Sequence, residues 1–146
     1  MLDRVNKAYN SRVRKITTTI GHADLTAAAT TQAIAASSAL PPGAQILGVN
    51  MRDYTPFTGG SISAVALDVG VTGGDVDAIV DGADVFAAAV DGQVASVTAG
   101  IAPFKRFAAA TTLAFLFTAS HNVSTATAGA VTIDVLYNVP DESLPS

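Results

Sequence analysis

Residues 130–139 read Ala-Val-Thr-Ile-Asp-Val-Leu-Tyr-Asn-Val. Val131, Ile133, Val135, Tyr137 and Val139 recur at every second position, against Thr132, Asp134 and Asn138. Successive side chains of an extended chain point to opposite sides, so this period puts the large apolar groups on one face and most polar groups on the other. A helix would scatter the same residues around its circumference. The segment is a β-strand with one face for a core and one for water.

Working outward, the same period returns three times. In Ala44 to Asp53 the inward set is Leu47, Val49 and Met51, against Gly48, Asn50 and Arg52. In Ser61 to Val71 it is Val65, Leu67, Val69 and Val71, with Asp68 outside. In Thr112 to Thr118 it is Leu113, Phe115 and Phe117. Lys15 to Ile20, Thr30 to Ala36 and Gln93 to Ala99 are weaker strand candidates. Pro41-Pro42-Gly43, Pro56 with Gly59-Gly60, Gly73-Gly74-Asp75 and Asp91-Gly92 punctuate these runs with turn chemistry. Short strands at such spacing predict an all-β fold, an antiparallel β-sandwich, rather than alternating β/α units. Two short helical turns are expected beside it. Leu2, Val5 and Tyr9 share a helical face, and Asp84 is placed to cap a turn containing Phe86.

Composition agrees with that reading. The 146 residues are 49% hydrophobic and only 14% charged, enough for one domain with a substantial core. Eleven Asp stand against a single Glu, which disfavours a helical bundle because Asp prefers turns and caps. With no Cys and two His, disulfides, thiolate chemistry and zinc fingers are excluded. The first twenty residues carry no apolar signal-peptide core. The most apolar run, Phe107 to Ser120, holds three Thr and falls short of the ~20 apolar residues a membrane helix needs. A soluble chain without a membrane partner is expected. So few charges on so small a domain predict a homo-oligomer, with a trimer favoured and a dimer as the alternative. Ala27 to Ala29 and Ala108 to Ala110 would allow another chain to approach closely.

Net charge is −4, but it is unevenly spread. Arg4, Lys7, Arg12, Arg14 and Lys15 are five of the eight cations, all within residues 1–15. No Lys or Arg lies between Tyr54 and Phe104, where six Asp do. The domain reading is a basic arm over 1–15 and one sandwich domain over 16–146. A basic arm on an acidic body suits docking to a complementary protein surface. Nucleic acid is not the expected partner, because aromatics do not interleave with the cations as stacking platforms would.

The chemical motifs are weak. Asp75, Asp77, Asp81 and Asp84 invite a calcium site, yet the spacing lacks an EF-hand loop and its closing Glu, so a solvated acidic loop is expected. His22 with Asp24, or His121 with Ser120 and Ser124, would have to form a hydrolase triad without a nucleophile elbow. The one Glu, Glu142, lies in a proline-flanked tail. No glycine pattern cradles a phosphate. The reading is a non-enzymatic protein with no catalytic, metal or cofactor-binding residues and no cofactor. Phe104-Lys105-Arg106-Phe107 differs in kind: two cations between aromatics interrupt an uncharged stretch. These four residues join the arm cations as interface candidates.

The words Thr19-Ile20-Gly21-His22-Ala23-Asp24-Leu25-Thr26, Leu40-Pro41-Pro42-Gly43-Ala44, Phe57-Thr58-Gly59-Gly60-Ser61-Ile62-Ser63 and Gly129-Ala130-Val131-Thr132-Ile133 give the chain a texture that resembles small head decoration (cement) proteins of tailed bacteriophages. The resemblance spans most of residues 16–139 and leaves out the first fifteen. It implies a sandwich of jelly-roll type on the capsid exterior. Such a protein would be assembled in the host cytoplasm, bind as a homo-oligomer and clamp neighbouring subunits of the major capsid protein. Under it, the basic arm is expected to dock on the capsid. No active-site residue is carried over, since the class shares none. Another β-sandwich virion module, such as a head fibre or tail part, or a carbohydrate-binding module, is the alternative. Three Tyr and no Trp weigh against sugar binding.

Overall fold

A computed structural model describes residues 13–87, 92–95 and 106–139. Among the described residues eight strands follow one another: β1 Arg14–Gly21, β2 Thr31–Ala35, β3 Gln45–Thr58, β4 Val65–Val71, β5 Val80–Asp84, β6 Gly92–Ala95, β7 Leu113–Ala119 and β8 Ala128–Asn138. The pairing is nested about the β4–β5 connection. β4 pairs β5, β3 pairs β6, β2 pairs β7 and β1 pairs β8, all antiparallel. Further pairing of β8 with β3 and of β7 with β4 closes two sheets, ordered β1-β8-β3-β6 and β2-β7-β4-β5. We call them the first and second sheets.

The inward faces meet in one hydrophobic core. Val131, Ile133 and Val135 of β8 face Leu67, Val69, Phe115 and Phe117 of the second sheet, all fully enclosed. Phe57 of β3 and Phe117 of β7 bridge the sheets with ring centroids 5.2 Å apart and tilted by 60°, a geometry that aromatic pairs prefer over face-to-face stacking. Thr18 also lies inward, and its hydroxyl accepts the Ser37 N–H at 3.0 Å, so the buried oxygen is satisfied.

Of the expected core residues, Leu47 is misplaced. Ile46 pairs with Tyr137 but Gly48 with Leu136, so Leu47 is the extra residue of a β-bulge and stays half-buried while Ile46 turns into the core. A bulge shifts the alternation by one residue, which a strict period of two does not register. A second irregularity, with Asp53 at φ 52°, carries β3 on to Thr58, five residues past its expected end. The strand β5 lies in what reads as an acidic loop. The helical turns are also elsewhere: short 3₁₀ turns occupy His22–Asp24 and Val123–Thr125. Asp84 does accept the N–H groups of Phe86 and Ala87, at 2.8 and 3.0 Å, but among the described residues these form a bend and no helical turn. The proposed face of Leu2, Val5 and Tyr9 lies outside the described residues, as does the 96–99 part of the Gln93–Ala99 candidate.

Candidate functional site

Register places the interface candidates. Arg14 and Lys15 open β1, opposite Tyr137 and Leu136, so the strand starts one residue before the Lys15–Ile20 candidate and takes in the last two residues read as arm. Beyond β2, residues 36–44 run antiparallel to 107–113 through backbone bonds between Leu40 and Thr111, Gly43 and Phe107, and Phe107 and Ala44. The Arg106 guanidinium donates to the Gly43 carbonyl at 3.2 Å, and Phe107 packs partly against the core. Gln45 faces Asn138 just beyond. Arg14, Lys15, Arg106 and Phe107, 91 residues apart in sequence at the closest (Lys15 to Arg106), therefore share one end of the sandwich. The other candidates, Arg4, Lys7, Arg12, Phe104 and Lys105, lie outside the described residues.

The outward face of the first sheet is polar and knitted. Asp134 is almost fully enclosed although its strand position points away from the core. Its carboxylate accepts the Arg52 Nε–H at 2.8 Å and the Thr17 hydroxyl at 2.6 Å, and a second Arg52 nitrogen reaches Asp53 at 2.8 Å. Burial opposes the Asp134 charge, but bonds from Arg52 and Thr17 and the charges of Arg52 and Lys15 outweigh it and hold the carboxyl below its usual range. The same pairing raises Arg52 above its ordinary value. Thr19 and Thr132 share a hydroxyl bond at 3.0 Å on this face. Sequence reading assigned Arg52 and Asp134 to wet faces separately. Only the register Asn50 to Asp134 and Arg52 to Thr132 makes them neighbours.

The outward face of the second sheet is its opposite. Ala33 and Ala35 of β2, Ala114, Leu116 and Thr118 of β7, and Ala66 of β4 form a smooth surface without a cation. Asp68 is tied to the Gly82 N–H at 2.6 Å. At the end away from Arg14, a groove of about 530 Å³ opens on this face. Ala66, Thr118 and Ser120 line it on one side, and Asp84, Phe86 and Ala87 on the other. The Ser120 hydroxyl accepts the N–H groups of Ser63 and Ala64, at 2.8 and 3.2 Å, which ties two of the lining segments together. No sequence signal marks it, because its walls come from three separate segments.

Of the other residues weighed for chemistry, Asp24 and Asp77 are engaged close by in sequence, and Glu142 lies outside the described residues. Asp24 accepts the Gly21 N–H at 2.8 Å. Asp75, hydrogen-bonded to Asp77 and repelling its charge, holds Asp77 above the usual carboxylate range. Among the described residues no group of three His, Asp or Glu is placed to hold a metal ion, and no helix is long and apolar enough to cross a membrane.

No family model matches the chain, and no curated protein matches it. Among solved structures it is similar to a chain of the cyanophage Pam1 capsid asymmetric unit, with a TM-score of 0.57 and 20% identity over 88% of this chain and 86% of that one. At that identity the likeness is one of fold.

Proposed function

We propose that this chain is a structural protein of a tailed-phage virion: a non-enzymatic decoration or cement module on the capsid exterior, which stabilises the shell by clamping neighbouring major capsid subunits. The observation that carries the reading is the shared fold with a chain of a cyanophage capsid asymmetric unit, across nearly the whole of both chains. The nested strand pairing supports naming the fold a jelly roll, since folding a long antiparallel ribbon over on itself gives the orders β1-β8-β3-β6 and β2-β7-β4-β5. The end that gathers Arg14, Lys15, Arg106 and Phe107 would be one contact surface and the smooth face of the second sheet another. Self-association, as a trimer in preference to a dimer, would seat a neighbour on that cation-free face. Assembly would take place in the host cytoplasm.

Purified protein mixed with undecorated shells of the parent phage should co-sediment in a saturable ratio and raise the temperature at which the shells release DNA. Recovery only on tails or fibres, or on immobilised glycans, would replace this reading with the other virion-module or sugar-binding one. Failure to bind any particle would end it.

A further inference from the structure

The groove on the second sheet is an apolar slot with an acidic rim. Ala66 and Ala87 give it small walls, and Phe86 gives it an aromatic one. Asp84 lines it, Asp81 stands next to the lining Gly82, and Asp68 holds the Gly82 N–H. No Lys or Arg occurs from residue 54 to residue 104, and Arg106 is occupied at the far end of the sandwich. Such a site fits an extended segment with an apolar anchor between cations. The chain contains a segment of that chemistry: Leu2, Val5 and Tyr9 alternate with Arg4, Lys7 and Arg12.

We infer that the groove receives the first twelve residues of a second copy of this chain. Length keeps the copy's own segment from seating all three anchors: only Leu2, eleven residues before Val13 and at most ~40 Å from it, could span the distance. Tyr9 stands four residues before Val13 and Val5 eight, so a fully extended chain carries them at most ~15 and ~30 Å from β1. The groove lies a strand length away, ~25 Å, around the side of the sandwich and on a sheet ~10 Å distant, a path longer than either reach. An arm leaving one end of the body and seating at the opposite end of a neighbour is a head-to-tail contact, which closes into a ring where the rotation between copies allows and otherwise continues as an open filament. The contact is independent of any capsid, so it is testable apart from the virion role.

Two measurements test it. The full chain and a chain lacking Met1–Arg12 are compared by sedimentation equilibrium at about 100 μM, well above a moderate Kd. A fluorescent peptide of residues 1–15 is titrated into the shortened chain. The full chain should be an oligomer and the shortened one a monomer that binds the peptide, more weakly as salt rises. Asp81→Lys and Thr118→Arg alter exposed side chains at the groove, and each should weaken peptide binding roughly tenfold with the circular dichroism unchanged. An oligomer that survives the deletion, a full chain that is monomeric, or a peptide that ignores the shortened chain or both substitutions would overturn the inference.

Discussion

Gly129 offers a sharp test of how the sheets are packed. It lies in β8 at φ +138°, a conformation that L side chains rarely adopt, and a Cβ there would meet the Phe57 ring at 2.4 and 2.5 Å. Phe57 is fully enclosed and braced against Phe117, so it has no space to retreat into. Gly129→Ala therefore carries two costs. Backbone strain of this kind costs about 1–3 kcal/mol. Overpacking a filled core adds about 1–3 kcal/mol. Gly73→Ala is the control: its φ is +75°, also unfavourable, but nothing lies within 4 Å of its Cβ. Urea denaturation of the two variants should show a loss of about 3–5 kcal/mol for Gly129→Ala and about 1–2 kcal/mol for Gly73→Ala. Their difference reports the packing cost together with the extra strain of φ +138° over φ +75°. Equal losses would mean that Phe57 does not close over β8, and the register of β3 against β8 would be wrong at that end.

Two further predictions rest on single features. Asp134 is held below its ordinary value in the fold, so its contribution is fully present above the unfolded carboxylate range, near 4, and is lost as pH falls through the lower folded value. The stability gap between wild type and Asp134→Asn should be about 1–2 kcal/mol and flat at neutral pH, then shrink below ~4; a gap that widens with acid refutes the pairing with Arg52 and Thr17. At the bulge, Ile46→Ala should cost about 2–5 kcal/mol and Leu47→Ala about 1 kcal/mol, and the reverse order in a denaturation series would restore the unbulged register.

Much of the fold is legible one strand at a time. Val131, Ile133, Val135 and Tyr137, like Leu113, Phe115 and Phe117, are read as inward and are inward. The misreadings have local causes. Leu47 fails because a bulge resets the phase after Ile46. The strand β5, Val-Asp-Gly-Ala-Asp, looks like loop because the four residues after Val80 are poor strand formers. It is held by backbone bonding to β4 and by the buried Val80. At the candidate sites less was visible. Arg106 and Phe107 stand out in sequence, but their nearness to Arg14 depends on two ladders. The Arg52–Asp134 pair joins positions 82 apart, and the groove's walls come from three segments that share no motif.

The sequence by itself determined which side of each regular strand is buried, because alternation is a property of the covalent chain and needs no partner. It also determined the charge asymmetry, which is a matter of composition along the chain. Only the tertiary structure decided which strand lies beside which. Backbone N–H and C=O groups are the same in every strand, so a ladder carries no residue label. The choice among pairings falls to bulges, to the close approach at Gly129 and to the fit of Phe57 against Phe117, all of which exist only once the two sheets have met.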